Sequence, residues 1–451
     1  MYKVLLSIVS LLIVGLVAMP LVVKNQVSKQ IEMEKLSLKE SGIELSLIKE
    51  EGYISSFREF EMKIINGKKF RDYILKRFAE KNPNYKGLTE VLQKQSDNDI
   101  RPALDGTTFY GTLKNSNLLL SQPVIELSLI KFSDEIMSGF SGDSDIDKLA
   151  HSVLDEKMFT FFVTLDSNQK ISNIIMQDID KDIVDKKDMI NVKLKNHKLN
   201  IDIKESLKGV YTLGEQSIKA KDFFLNTKGI EYKFDYLTQF ENQGSLHVGS
   251  FEIKKHKDAL KIGNIDISNS IETSKDNALS PDVEYSVKDI YYKKNKKFEL
   301  ANFTLGMMAS GIDKDATVDA SNAYNEMAFQ RKQDSIKVLI DSLQKILNRG
   351  FKADVKASLN RLSFDKMTLD NADFLLNLNV EPNNYKIKSK DIVNAFLVDG
   401  KLTIDEKNIK DIIKMDKSLE KFVKLGKKEG SKMVFNYEFK QGDLLINGNR
   451  L

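Results

Sequence analysis

Leu199-Asn200-Ile201-Asp202-Ile203 alternates apolar and polar residues without a break. Successive side chains of a β-strand point to opposite faces, so Leu199, Ile201 and Ile203 share one face and Asn200 and Asp202 the other. Leu260-Lys261-Ile262 repeats the pattern, and it predicts strands over 159–165, 192–195, 230–234, 246–253 and 283–292. One face of each is apolar and the other carries Lys, Asp, Asn and Glu. Such strands build antiparallel sheet with one face covered and one wet. Asn196-His197, Lys228-Gly229 and Gly263-Asn264 read as turns between them. The spacing of these signals is irregular, which argues against a solenoid.

The pattern extends in both directions. Ile43, Leu45 and Leu47, then Phe60, Met62 and Ile64, predict a hairpin around Glu51-Gly52-Tyr53. Phe70, Tyr73, Ile74 and Phe78 fall on one face of a short helix stopped by Asn82-Pro83-Asn84, with further helical turns over 88–95. Strands follow over 109–113, 118–120 and 124–132, and a helix over 144–154. Downstream, Ala323, Met327, Ile336, Leu339, Ile340, Leu343 and Leu347 predict one long amphipathic helix over 319–349, closed by Gly350. Strands over 354–363 and 367–380, a turn at Pro382-Asn383-Asn384 and a helix over 408–425 come next. A hairpin of Met433–Phe439 and Leu444–Asn447 closes the chain.

Val4 to Val23, VLLSIVSLLIVGLVAMPLVV, carries no charge and is long enough to cross a hydrocarbon core as a helix. A cleaved signal peptide has a shorter apolar region and a small-residue cleavage site. Here Pro20 and Leu21 follow Ala18, so the expectation is an uncleaved signal anchor. Lys3 precedes the run, and Lys24, Lys29 and Lys35 follow it, so the positive-inside rule does not decide the orientation. A three-residue head cannot hold a domain, so the body is expected outside. The fold class expected is α+β, mainly antiparallel β: an N-terminal transmembrane helix, then a long twisted sheet body with a few amphipathic helices. The domains expected are an anchor over 1–24, a helical stalk over 25–42 and an extracytoplasmic body over 43–451. If that body forms two lobes, the break falls near 310–320.

The 451 residues include 69 Lys+Arg and 65 Asp+Glu, a net charge of +4 that gives no reason to expect nucleic acid. There is no cysteine, hence no disulfide, thiolate metal site or lipid-modified cysteine. Asp143, Asp145 and Asp147, and again Asp178, Asp180 and Asp182, open like a calcium loop. The sixth and twelfth positions are Lys148 and Leu154 in one case and Ile183 and Met189 in the other, so both fail, leaving solvated loop carboxylates. His151, His197, His247 and His256 show no ligand spacing, and His247 is expected to be exposed, opposite Leu246 and Val248. Gly139-Phe140-Ser141-Gly142 lacks the spacing of a nucleophile elbow. Tyr291-Tyr292-Lys293-Lys294-Asn295-Lys296-Lys297 is a basic strand end with aromatics, suited to solvent first and to lipid head groups or an acidic polymer second. Phe223-Phe224-Leu225 and Phe374-Leu375-Leu376 break the alternation, which implies strands covered on both faces.

Glu51-Gly52-Tyr53-Ile54-Ser55-Ser56, the Tyr324-Asn325 helix followed by a strand pair after Gly350, and the closing Leu444-Leu445-Ile446-Asn447-Gly448-Asn449 together resemble a known family. It is the YdgA-like bacterial family of unknown function, domain-of-unknown-function family 945. Glu51 stands where the family usually has Arg, and Ile54 where it usually has Phe. The family's H-G-P-F segment is matched only by Asp105-Gly106-Thr107-Thr108-Phe109. The resemblance implies a membrane-attached envelope protein and supplies no catalytic, cofactor or metal residues. The expectation is therefore a single-pass protein of the cytoplasmic membrane with its bulk in the periplasm, a non-enzymatic scaffold or binding protein. The alternative is a lipid-binding or lipid-transfer module with an apolar groove bordered by Phe223, Leu225, Phe374 and Leu376. Its partners would be the membrane through residues 4–23, a lipid or envelope protein, and a second copy of itself.

Overall fold

The computed structural model describes residues 29, 32–33, 35–52, 55–81, 101, 103–116, 123–140, 151–166, 171–185, 190–203, 206–238, 240–294, 297–330, 334–365, 367–409, 411, 413, 419–440 and 442–450. The anchor expected over 4–23, most of the stalk, the turn at Asn82-Pro83-Asn84, the helix over 88–95 and the strand over 118–120 lie outside them. Most of the described chain is antiparallel β-sheet, with a few helices. Among the described residues no helix is long and apolar enough to cross a membrane. The chain divides into two compact units, residues 1–179 with 198–210 and residues 180–197 with 211–451. Residues 310–320 lie inside the second.

In the first unit, residues 35–40 are helical and end at Gly42, whose φ of 82° needs glycine. A Cβ there would meet the Asn66 carbonyl oxygen at 2.4 Å. Strands β1 (Ile43–Glu51) and β2 (Ser55–Ile64) form the expected hairpin. Helix α1 (Gly67–Lys81) leads to β3 (Thr108–Ser116), which returns to pair with β2. Then β4 (Val124–Lys131), helix α2 (Asp134–Phe140), β5 (Thr160–Leu165) and β6 (Ile171–Asp185) complete an antiparallel series. Ile43, Ile64, Leu129, Leu154, Met158, Val163, Met176 and Ile179 are its buried apolar side chains among the described residues. The same face of β2 carries Arg58, only 1% exposed and 3.0 Å from the Glu50 carboxylate. A buried guanidinium is tolerated only when its charge is answered. The Phe60 ring lies over Gly111, directly opposite in the register, where a Cβ would stand 2.3 Å from the ring.

Strand β6 and strands β7 (Ile190–Ile203) and β8 (Leu207–Ala220) each divide between the two units. The second unit then meanders through β9 (Phe223–Thr238), β10 (Glu241–Lys255), β11 (Asp258–Thr273), β12 (Ala278–Lys293) and β13 (Lys297–Ser310). β14 (Ile312–Asp313) pairs back onto β12, and two helices follow, α3 (Lys314–Gln330) and α4 (Ser335–Arg349). β15 (Phe351–Phe364) resumes beside β13, followed by β16 (Met367–Val380), β17 (Phe396–Asp405), β18 (Lys427–Glu429) and β19 (Lys432–Lys440). The chain ends in β20 (Asp443–Ile446) and β21 (Asn449–Arg450).

Several expectations are corrected here. The single helix over 319–349 is two, and it begins earlier than expected. Asp313 starts it by accepting the Ala316 N–H at 2.8 Å through its carboxylate, an N-terminal signal the apolar stripe does not carry. Of the helix expected over 408–425, residues 409, 411 and 413 are helical and helix α5 spans Glu420–Val423, with a 3-10 turn over 406–408 before them; residues 410, 412 and 414–418 lie outside the described residues. Asn196-His197, Lys228-Gly229 and Gly263-Asn264 are not turns. Each lies inside one long strand, as a left-handed residue at Asn196 (φ 52°), Gly229 (φ 65°) and Asn264 (φ 37°).

These positions are not scattered. The register skips Gly229 opposite Gly249, Gly249 opposite Asn264, and Asn264 opposite Lys288. It likewise skips Lys288 opposite Asn302, Asn302 opposite Asn360, and Asn360 opposite Asn371. A line of interrupted pairing thus crosses seven neighbouring strands. Alternate strands place a positive-φ residue on it: Gly229, Asn264, Asn302 (φ 47°) and Asn371 (φ 48°). Irregularities of this kind bend a strand and raise its local twist, and in register they crease a sheet. The apolar phase slips by one residue at the same line. On β12, Val283, Tyr285 and Val287 give way to Ile290 and Tyr292, so the alternation expected over 283–292 is two runs.

Candidate functional site

On one side of the crease the register assembles a continuous apolar face. One transverse row runs Tyr232, Leu246, Ile267, Tyr285, Leu305, Ala357, Phe374, Leu402 and Phe435 across nine strands. The next runs from Ile230, Val248, Ile265 and Val287 to Phe303 and Leu359, and on to Ile404 and Met433. With strands about 4.8 Å apart, the face is roughly 40 Å long. Its opposite side is polar. His247 Nδ1 lies 2.6 Å from an Asp266 carboxylate oxygen, and the Thr304 and Ser358 hydroxyls are 2.8 Å apart.

Among the described residues the apolar face is sealed at one end. There Phe422 of α5 stacks on Phe435 with ring centroids 4.9 Å apart, and Ile404, Phe435 and Ile446 form a sealed cluster with Leu402, Leu425 and Met433 against it. Along the first row Phe435 is 1% exposed, Phe374 and Tyr285 are each 36% exposed, and the other six side chains are half-buried. Helices α3 and α4 pack chiefly on each other and on β14. Arg349 fastens them by donating to the Asp276 carbonyl (2.7 Å) and pairing with the Asp276 and Asp313 carboxylates (3.0 and 3.3 Å). Within α4, Ser335 and Ser342 are buried, while Ile336 and Leu343 of its apolar stripe stay exposed.

The expected groove residues are found in two places. Phe374 and Leu376 stand on the apolar face just described. Phe223 and Leu225 lie beyond the crease, near the hairpin turns. Neither apolar triplet is covered on both faces: Phe374 is exposed, and Phe223, Phe224, Leu225, Leu375 and Leu376 are half-buried. Leu375 points to the polar side, between Lys356 and Lys401, where lysine stems shelter it.

The other candidates have structural roles. Asp178, Asp180 and Asp182 are strand residues of β6, not loop carboxylates. Lys198 reaches Asp178 at 2.5 Å, and Lys195 pairs with Asp180. Asp143, Asp145 and Asp147 lie outside the described residues, as do Ser141 and Gly142. Gly139 and Phe140 end α2. His151 belongs to the helical residues 151–155, and His256 is an exposed turn residue at φ 56°. His247 is exposed, as its position opposite Leu246 predicts. His197 is the exception. Its Nε2 lies 2.8 Å from the Tyr211 hydroxyl, its ring packs edge-on against Tyr211, and its buried Nδ1 has no partner among the described residues. Burial lowers the His197 pKa and raises that of Tyr211. Asp370 is held below the usual carboxylate range by Arg361 and then Lys407, at 2.8 and 2.7 Å. Among the described residues no group of three or more His, Asp or Glu is placed to hold a metal.

A cleft of about 670 Å³ opens between Val398, Gly400, Tyr437, Lys427 and Asn447. Its best polar groups are already used. Tyr437 donates to the Leu375 carbonyl, and Asn447 donates to the Leu425 and Val434 carbonyls and accepts from the Asn436 N–H. Among the described residues the apolar face, rather than this cleft, is the surface left partly uncovered.

A family model described as a bacterial protein of unknown function (DUF945) matches residues 79–451. That span is well over half of the chain, and the chain belongs to this family. No curated protein and no solved structure matches it.

Proposed function

We propose that this is a membrane-anchored protein of the bacterial cell envelope that binds the acyl portion of lipids on the apolar face of its second unit. In this reading residues 4–23 anchor the chain in the cytoplasmic membrane, the body stands in the periplasm, and no chemistry is catalysed. The observation that carries it is the open apolar face, with Phe374 and Tyr285 each 36% exposed in the same row as sealed Phe435. A contiguous apolar surface that stays partly exposed along most of its length suits a binding site. Acyl chains suit it, because a track roughly 40 Å long and few residues wide offers methyl and ring contacts without hydrogen-bond demands.

The test is native mass spectrometry with lipid extraction on residues 25–451. Stoichiometric co-purifying lipid, lost in Tyr285→Asp/Phe374→Asp, is the expected result. A folded protein that stays lipid-free when offered phospholipid overturns the reading.

Helix α4 favours a second reading, a scaffold that assembles with its own copies. Ile336 and Leu343 project from an apolar stripe that α3 does not cover, and such a stripe pairs readily with a like helix. Sedimentation velocity distinguishes the two. A dimer abolished by Ile336→Asp/Leu343→Asp supports the scaffold, and a concentration-independent monomer removes it.

A further inference from the structure

Beyond the crease, the second unit ends in a row of hairpin turns brought side by side by the meander. The β10–β11 turn carries Lys254, Lys255, His256 and Lys257, and the neighbouring β12–β13 turn carries Lys293, Lys294 and Lys297. The register places Lys254, Ala259, Lys293 and Lys297 in one transverse row on one face. The row behind it, on the other face, is Leu225, Ile253, Leu260, Tyr292, Phe298 and Phe364. Its rings are not sealed: Tyr292 is 39% and Phe364 43% exposed.

Lys254 pairs with Glu252 and Lys297 with Glu299, each at 2.7 Å. Lys255, Lys257, Lys293 and Lys294 are exposed and have no ion-pair partner among the described residues. Asp222, Asp258 and Asp365 share these turns and temper the charge without cancelling it. Two lysines also sit near rings, Lys254 at 5.4 Å from Phe224 and Lys297 at 5.8 Å from Tyr291.

We infer that this hairpin edge docks on the surface of a bilayer rich in anionic lipid. The lysines meet the headgroup phosphates, and Tyr292 and Phe364 enter the interfacial layer. The charge is complementary to such a surface, and amphipathic rings beside lysines are what the headgroup boundary selects. A soluble polyanion would use the lysines but not a row of half-exposed aliphatic and aromatic side chains on the reverse face. The inference does not rest on acyl-chain binding by the apolar face. It concerns a different edge and is read by docking rather than by lipid retention.

The experiment uses the full chain held in phosphatidylcholine nanodiscs and mixed with sedimentable vesicles. The vesicles are either phosphatidylcholine alone or phosphatidylcholine with phosphatidylglycerol. The expected result is co-sedimentation only with the anionic vesicles, falling with added salt. Each lysine near an anionic surface changes partitioning about 5-fold. Lys255→Glu/Lys257→Glu/Lys293→Glu/Lys294→Glu therefore lowers it at least ~100-fold, with an unchanged melting temperature. Lys352→Glu/Lys386→Glu/Lys388→Glu/Lys390→Glu, the same charge change on exposed lysines elsewhere in the unit, leaves most of it intact. Should the charge-reversed edge fail to fold, the same four positions changed to Gln serve. Equal losses in both quadruple variants overturn the proposal, as does equal binding to uncharged vesicles. Binding to polyphosphate with none to anionic vesicles overturns it in favour of a polyanion site.

Discussion

At the scale of single residues, the segment most like the family's closing motif turns out to hold the fold together. Asn447 adopts φ 48°, and its amide donates to two carbonyls while its oxygen accepts the Asn436 N–H at 3.0 Å. Alanine there leaves several backbone groups without partners and disfavours the backbone conformation. Asn447→Ala is therefore expected to cost about 2–4 kcal/mol in urea unfolding, and Asn447→Asp, which sets a carboxylate oxygen against the Leu425 and Val434 carbonyls, at least as much. His197 gives a pH signature. Burial holds its pKa below 6.5, so the unfolded chain binds the proton more readily. Its contribution to stability is complete above that value and is lost as pH falls toward the folded-state pKa. The melting temperature should accordingly fall between about pH 7.5 and about pH 5.5, and fall less in His197→Phe. Parallel curves for the two proteins would show that His197 is not the titrating group.

At the scale of elements, the crease explains what the sequence conceals. A strand with a left-handed residue at its middle reads, residue by residue, as two strands and a turn. Asn196-His197 and Gly263-Asn264 carry turn chemistry because Asn and Gly tolerate positive φ wherever it occurs. Only the register shows that such positions line up across seven strands. Glycine should therefore substitute at Asn302 with little loss, and a β-branched residue should not. Asn302→Gly is expected within about 0.5 kcal/mol of the parent and Asn302→Val about 1–3 kcal/mol below it. Equal effects would mean that the left-handed conformation is not required. The strands themselves were legible, since alternation marks β1, β2, β10 and β16 within a few residues of their ends. The division between α3 and α4 was not, because one apolar stripe runs on through both helices. Gly400 was equally silent in the sequence. It stands opposite Tyr437, whose ring leaves a Cβ only 2.4 Å of room, a fit that depends on a partner 37 positions away along the chain.

For the whole molecule, the two units solve the burial problem differently. The first closes a core around Ile64, Val163 and Met176, with Arg58 inside it. The second spends most of its length as sheet with a partly exposed apolar side, and seals a cluster around Phe435. Composition could not distinguish these cases, because an alternating strand has the same sequence whether or not something covers its apolar face. The candidate surface was legible as residue types, through Phe374 and Leu376, but not as a surface, and its separation from Phe223 and Leu225 follows from the crease alone. An open apolar face has a consequence in solution. The native protein should bind an environment-sensitive apolar dye such as anilinonaphthalene sulfonate, which folded proteins with sealed cores bind weakly. Tyr285→Lys/Phe374→Lys should remove most of that fluorescence. Because both side chains are already 36% exposed, the same change should cost less than about 2 kcal/mol. Phe435→Lys, at the sealed end of the row, should instead unfold the C-terminal strands and raise the dye signal. If the double variant proves as destabilising as Phe435→Lys, the face is a core, and the binding surface proposed for this family member does not exist.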